Sequence, residues 1–465
     1  MSNITVIGCG YVGLVSAACF SRLGHQVVCV ERDADRLASL RANSLPLREP
    51  GLEDLWIRGR ELGSLSVTGD YSSALADAEF VFLAVGTPAR ASGASDLTQI
   101  LDATRSIAAG MNAERLPIVV LKSTVPMGTA ERVSYLLAEM LPATPRTVSN
   151  PEFLREGCAV FDFMRPDRIV IGCDEQEDGE SVAALYQTLG RPVIFCNPRT
   201  AEAIKYAANS FLCTKISFIN EIASICEAID VDVNDVREAI GMDPRIGHKY
   251  LDPGIGWGGS CLPKDIASLI WNASRAGVDT PLLRVVEEVN NLQPELIVLK
   301  LKSLVGSLKG LTIAVWGLAF KPDCDDVRDS PALSVIRLLR DEEATVRAFD
   351  PLAMPAASAV IPEIFMCEDA YEAADGADAA LLTTHWRSFE GLDWNDLRER
   401  MARPVIVDGR NALDPAAMIE AGFAYAGIGR PSAVDEHLEE GDDSTKVSGT
   451  RPARSRDQSQ SRSLS

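Results

Sequence analysis

The 465-residue chain is short of several features that mark whole classes of protein. No apolar run reaches the ~20 residues of a membrane-spanning helix, so an integral membrane protein is not expected. The opening Met1-Ser-Asn-Ile-Thr-Val-Ile-Gly8 runs straight into an apolar strand, so a signal peptide is not expected. Histidine is scarce, with four residues and no cluster, and the eleven cysteines include no C-x-x-C pair. Neither a metal site nor a disulfide framework is expected from that pattern. Basic residues are outnumbered, 45 Lys and Arg against 66 Asp and Glu, for a net charge of −21. Nucleic acid and anionic membranes are therefore not expected partners. An acidic protein that binds an anion must gather cations locally, which gives weight to any Lys or Arg beside a glycine loop.

What is present begins with length, which is too great for one core and implies two or three domains. Ile4-Thr-Val-Ile7 reads as a strand and is followed by Gly8-Cys-Gly10-Tyr-Val12-Gly13. An apolar helix from Leu14 to Leu23, a turn at Gly24-His25, a strand at Val27-Val-Cys-Val30 and an acid at Glu31 complete the unit. That order is the dinucleotide-binding arrangement, with the pyrophosphate on the helix N-terminus and the acid on the ribose hydroxyls. Glu31 repels a 2′-phosphate, so NAD is expected over NADP, a preference that Arg32 and Arg36 weaken. Thiols beside such a motif are expected to be reduced, and the protein cytoplasmic.

Further strands are predicted at Phe80–Val85, Ile118–Leu121, Thr147–Ser149 and Ile169–Ile171, as in a doubly wound parallel sheet. Ligands of such sheets lie beyond the strand C-termini. The residues there are Gly86-Thr87-Pro88, Lys122-Ser-Thr124-Val-Pro126 and Asn150-Pro-Glu152-Phe153-Leu154-Arg155-Glu156-Gly157. Each loop taken alone also reads as a cap or turn. From Thr200 to about Ile229 an apolar spacing of three and four predicts one long helix, whose faces suit a dimer. Lys205 and Asn209 lie one turn apart near its start, either solvated or pointing into a cleft.

A short helix is expected at Asp230–Ile240, then a glycine-rich loop carrying Arg245, Lys249, Tyr250, Leu251, Asp252, Pro253, Gly254 and Gly258. This loop leads into Trp257-Gly-Gly-Ser-Cys261-Leu-Pro263-Lys264-Asp265. A thiol behind two glycines, with Lys264 nearby to favour thiolate, is a candidate nucleophile; a small packed thiol in a tight turn is the other reading. Pro281 to Leu301 reads as a helix that Pro294 should kink or split. At Leu311–Gly317 the strand, glycine, helix, strand, acid pattern restarts, through Pro331–Arg340 and Thr345–Phe349 to Asp350. Its loop holds Lys321 and Arg328, and further strands at Ala379–Thr383 and Val405–Asp408 end in polar loops, the second with Arg410. After about Arg430 almost no large apolar residue remains, so a disordered tail is expected.

These motifs together resemble the nucleotide-sugar 6-dehydrogenases, the UDP-glucose/GDP-mannose dehydrogenase family, from Ile4 to about Gly429. The resemblance rests on Gly8–Gly13, Lys122–Pro126, Asn150–Gly157, Lys205 with Asn209, Gly258–Asp265 and Gly317-x-x-Phe-Lys321. It implies an α/β fold of two Rossmann-like doubly wound domains bridged by a long central helix and a helical middle domain. The expected division is 1–198 for NAD, 199–308 for the helical domain and dimer core, 309–430 for the UDP-sugar, and a tail at 431–465. The implied reaction is a four-electron oxidation of a sugar C6 alcohol to a carboxylate with two NAD. Cys261 is the implied nucleophile, passing through a thiohemiacetal and a thioester. Lys205 and Asn209 are implied to steady the C6 oxyanions, Asp265 and Thr124 to orient or activate water, and Glu152 to act as acid–base partner. Gly8, Gly10, Val12, Gly13, Glu31, Arg36, Thr87, Thr124, Glu156, Lys264 and Arg328 are the implied NAD contacts. The sugar nucleotide is implied to meet Glu152–Glu156, Lys205, Asn209, Arg245, Tyr250–Gly254, Gly258, Lys321 and Arg410.

Phe153-Leu-Arg155, Pro166-Asp-Arg-Ile-Val-Ile-Gly172 and Arg245-Ile-Gly-x-Lys-Tyr-Leu251 resemble the UDP-glucose branch. Cys-x-Pro-Lys-Asp with Leu262 is shared with the GDP-mannose branch. A two-electron hydroxyacid dehydrogenase and a non-catalytic NAD-binding redox sensor are the readings from other classes.

Overall fold

The computed structural model describes residues 1–112, 116–143 and 146–431. The tail expected from residue 431 lies, from 432 on, outside the described residues. The first sheet holds eight strands: β1 (Asn3–Ile7), β2 (Gln26–Val30), β3 (Leu65–Thr68), β4 (Phe80–Leu83), β5 (Ile118–Leu121), β6 (Arg146–Ser149), β7 (Ile169–Gly172) and β8 (Val193–Cys196). Their order is β3-β2-β1-β4-β5-β6-β7-β8. The first six follow the 3-2-1-4-5-6 order of a dinucleotide fold, so a crevice opens between the C-terminal ends of β1 and β4. β1, β4 and β5 are almost wholly buried apolar runs, as strands covered on both faces must be.

The parallel expectation fails at one place. β6 meets β7 antiparallel through a single pair, Ser149 with Gly172. The chain between them spends its length on the 150–157 loop and the short helix Ala159–Met164, so β7 enters the sheet from the opposite end. β3 and β8 were not foreseen. Each is four residues long, and Ile194 and Phe195 at the β8 edge are exposed, which removes the burial pattern that identifies a strand.

The second sheet holds β9 (Thr312–Trp316), β10 (Thr345–Phe349), β11 (Phe365–Met366), β12 (Ala379–Leu382), β13 (Val405–Asp408) and β14 (Ala424–Gly427). Its order, β11-β10-β9-β12-β13-β14, repeats the first arrangement, and every pair is parallel. The glycine after the first strand recurs as well. Gly8 and Gly317 both sit at φ +97°, and a Cβ at Gly317 would come within 2.4 Å of Thr384.

Between the sheets runs the central helix Pro198–Ala228, started by Pro198 in its first turn and by Asn197, whose side chain accepts from Thr200 N. The helices Val233–Gly241, Leu262–Arg275 and Pro281–Val305 accompany it. Pro294 does not split the last of these. Pro294 has no N–H to donate to Asn290 O one turn back, yet the helix runs on through it to Val305.

Candidate active site

The cofactor cleft follows directly from the first βαβ unit. A Cβ on Gly13 would lie 1.9 Å from Gly8 O, so only glycine lets the helix Tyr11–Arg22 start this close to β1. A Cβ on Gly10 would meet nothing within 4 Å, and no side chain caps the helix. Open space in front of uncapped N–H groups suits a pyrophosphate. A cavity of about 320 Å³ lies here, lined by Gly10, Tyr11, Arg36, Arg48, Glu156 and Arg328 among others. Glu31 is buried at the end of β2, where its Oε1 accepts from Asp33 N at 2.9 Å and its Oε2 lies 3.7 Å from Arg36. These residues fit a dinucleotide: a phosphate cradle at one end and a ribose-facing carboxylate at the other. Val12 is half-buried against the core beneath this helix.

The second cluster gathers where the first sheet, the central helix and the Cys261 loop meet. Thr124 arrives from the end of β5, Glu152 from the loop after β6, Lys205 and Asn209 from the central helix, and Asp265 from the helix Leu262–Arg275. Lys205 Nζ lies 3.0 Å from Glu152 Oε1, both side chains being 5% exposed. Thr124 Oγ1 donates to the same oxygen at 3.4 Å, and Leu154 N donates to Glu152 Oε2 at 2.6 Å. Thr87 Oγ1 donates to Thr124 O at 2.8 Å. Asn209 Nδ2 donates to Asp265 Oδ2 at 2.6 Å, while Lys264 Nζ is 2.5 Å from Asp265 Oδ1. Two cation- and amide-bearing side chains on the central helix are thus each fixed by a carboxylate from another element.

Electrostatics here is set by dehydrated charges in close company. Burial disfavours the Glu152 carboxylate, but Lys205, the Leu154 N–H and Lys122 outweigh it and hold its pKa below the ordinary value. Burial works against the Lys205 ammonium too, yet Glu152, Asp265 and Cys261 push its pKa up. Lys122, buried with Asn150 Oδ1 at 3.0 Å and the Tyr186 hydroxyl at 3.3 Å as neutral partners, is pulled down to about 8, chiefly by burial.

Cys261 caps the helix Leu262–Arg275 on a loop held from both sides. Asn290 clasps Trp257 at N and O, and Trp257 Nε1 donates to Ser217 on the central helix. A Cβ on Gly258 would fall 2.0 Å from Asp329 O, so the loop is pressed onto the second sheet's own loop. Lys264 does favour the Cys261 thiolate, as does Lys205, but neither decides the balance. Burial, then Glu152, push the Cys261 thiol up more than Lys205 and Lys264 pull it down, and Asp265, paired with Lys264, adds to the rise.

The residues expected to meet a sugar nucleotide divide into those brought to this cluster or the loops around it and those left outside. Lys321 Nζ donates to Glu156 O, and Arg328 lies 3.7 Å from Glu156. Arg410 donates to Thr383 O and Gly256 O, and its guanidinium lies where a Cβ on Gly254 would stand, 2.8 Å away. Gly254 N donates to Asn220 Oδ1, and Leu251 packs against the central helix. Lys205 sits over the Phe153 ring, and Arg155 pairs with Asp162. Tyr250 takes φ +64° between Lys249 and buried Leu251, and Pro253 is buried beside Gly254. Arg245 and Asp252 stay outside: Arg245 is 87% exposed and pairs with Asp243, while Asp252 pairs with Arg237.

Two residues escaped the sequence reading. Glu49 is buried and accepts from the Tyr11 hydroxyl, Gly157 N and Ala159 N, tying the glycine loop to the 152–157 loop. Ser260, hidden beside the more conspicuous Cys261, donates to Glu156. Nothing local in the sequence marks either partner.

The same three-part organisation appears in comparison with known proteins. Residues 2–190 match the NAD binding domain of the UDP-glucose/GDP-mannose dehydrogenase family, 199–292 its central domain, and 314–415 its UDP binding domain. A UDP-glucose 6-dehydrogenase from Pseudomonas aeruginosa is 45% identical over 446 residues, 93% of this chain and 98% of the relative. One from Rhizobium meliloti is 44% identical over 92% of this chain and 100% of its own length. The solved UDP-glucose dehydrogenase of Pyrobaculum islandicum superposes with a TM-score of 0.87 at 38% identity, covering 92% of this chain and 98% of that one. Fold order, glycine cradle and whole-length similarity agree: the chain belongs to the UDP-glucose/GDP-mannose dehydrogenase family.

Proposed function

We propose that this enzyme oxidises the C6 alcohol of UDP-glucose to the carboxylate of UDP-glucuronate, taking four electrons per sugar. The observation that carries the reading is the place of Cys261, at the head of the helix that carries the Lys264–Asp265 pair and in the same cluster as the buried Lys205–Glu152 pair. A two-electron dehydrogenase has no use for that thiol. Bound NAD supplies the hydride acceptor for each of the two oxidations. Gly8, Gly10, Gly13 and Glu31 hold its adenosine half, with Arg36 and Arg328 lining the cleft.

The remaining chemistry belongs to the chain. The Lys205 ammonium and the Asn209 amide, aligned by Glu152 and Asp265, stabilise oxyanion character at C6. Cys261 adds to the C6 aldehyde as thiolate, giving a thiohemiacetal that the second oxidation turns into a thioester. Thr124 and Asp265 hold the water that cleaves the thioester, and Glu152 exchanges its proton. Lys321, Arg410 and the Tyr250–Gly254 loop hold the UDP. UDP-glucose is preferred to GDP-mannose because the whole-length relatives carry that substrate in their names. Purified enzyme is expected to yield two NADH per UDP-glucose and almost none with GDP-mannose. One NADH per sugar would make it a two-electron enzyme, and none a binding protein.

The division at 198, 308 and 430 is retained as the domain plan. Among the described residues no helix is long and apolar enough to cross a membrane, and all eleven cysteines are free thiols, which suits a reducing cytoplasm. The central helix exposes Phe211, Phe218 and Ile225, with Ile229 exposed just past its end, a run of apolar surface that a second copy would cover. Sedimentation should give a dimer, and Phe211→Asp with Phe218→Asp should give monomers; a monomeric wild type would refute this.

A further inference from the structure

Ser260 stands between two groups whose proton affinities differ in a useful sense. Its Oγ donates to Glu156 Oε1 at 2.9 Å and lies 3.4 Å from Cys261 Sγ. An ionised carboxylate only accepts, so the single hydroxyl proton of Ser260 is committed to Glu156. The contact with sulfur must then run from thiol to Ser260 Oγ. We propose that Ser260 is a catalytic proton relay that delivers the thiol proton of Cys261 to Glu156, generating the thiolate that attacks the C6 aldehyde. This rests on the reading of Cys261 as nucleophile.

The step balances without any co-reactant. The S–H bond breaks and its electron pair stays on sulfur. Ser260 Oγ gains that proton and passes its own to Glu156 Oε1, which becomes a neutral acid. One negative charge moves from carboxylate to sulfur. When the thioester is cleaved, the departing thiolate recovers a proton by the same route in reverse. Glu156 lines the cofactor cleft, so it also has a path for exchange with solvent.

The competing bases are engaged. Glu152 has its oxygens on Lys205, Thr124 and Leu154 N, and these hold it as a carboxylate of low basicity. Asp265 has its oxygens on Lys264 and Asn209. Glu156 differs: burial, then Asp326, raise its proton affinity, against Ser260, Arg328 and Lys321, which restrain it. Tyr11 and Cys324 also face it. Around the thiol, burial, Glu152 and Asp265 favour the protonated form, while Lys205 and Lys264 oppose it. Arg328 faces both ends of the relay. A thiol that is reluctant to ionise and a carboxylate ready for a proton are therefore joined by one hydroxyl.

The test is alkylation of Cys261 by iodoacetamide in the full-length enzyme, read by peptide mass spectrometry from neutral to alkaline pH. Ser260→Ala and Glu156→Gln should each raise the midpoint by about one unit, which is roughly tenfold slower labelling at neutral pH. The double variant should be no slower than either single one, because both break one path. Ser260→Thr, which keeps the hydroxyl, should restore the wild-type midpoint. Melting curves identify any variant that is merely misfolded. An unchanged midpoint in both single variants, or additive losses in the double, overturns the relay. If that happens while Cys261→Ser stays inactive, the nucleophile reading survives and only the relay fails. Two NADH per sugar from Cys261→Ser would overturn both.

Discussion

Cys261→Ser is expected to lose sugar turnover by roughly three orders of magnitude or more, while NAD and UDP-sugar still bind. Binding survives because the glycine cradle, Glu31, Lys321 and Arg410 belong to other elements, and serine fits where the thiol does. Turnover fails for two separable reasons. A serine hydroxyl ionises far less readily than a thiol, and nothing around residue 261 compensates, since the balance of neighbours already disfavours an anion there. An oxygen ester is also a poorer acyl donor than a thioester. Any acyl-enzyme that forms should therefore accumulate and be visible as added mass on the peptide holding residue 261. A packed structural thiol predicts near-normal NADH production in the serine variant, and that result would end the covalent mechanism.

How much of this was readable before the fold was known depends on distance along the chain. The glycine cradle, Glu31 and the second, degenerate repeat were legible because each is a local pattern with a single geometric meaning. Lys205 and Asn209 were legible as a pair because a helix puts residues four apart on one face. What the pattern could not hold was partnership. Ser260 and Glu156 are 104 residues apart, and only the packing of the Cys261 loop onto the 152–157 loop makes them neighbours. Glu49 reaches Gly157 across 108 residues for the same reason. The Lys264 charge beside Cys261 was visible in the sequence, but the burial that outweighs it was not. The antiparallel β6–β7 contact was hidden because a period of two gives a strand's faces and never its direction.

Lys205→Met should reduce turnover by roughly 10²–10³-fold, and the chemical step should account for most of the loss. The substitution keeps the helix and the length of the side chain but removes the ammonium that Glu152 holds at 3.0 Å. The same change should destabilise the enzyme, because it leaves Glu152 buried with Lys122 as its remaining cationic neighbour. Removing one partner of a buried pair costs about 3–5 kcal/mol, toward the lower end where another cation stays close. The pH dependence fixes the sign. In the wild type the Glu152 pKa is depressed, so its contribution to stability is present above the unfolded value of about 4.3 and lost as pH falls through the folded one. In the variant, burial is less opposed and the carboxyl protonates more readily. The gap in melting temperature between wild type and variant should thus be widest near neutral pH and shrink on acidification. A gap that stays constant from neutral to mildly acidic pH would mean that Lys205 acts through packing, and that the Lys205–Glu152 charge pair is not what organises the oxyanion site.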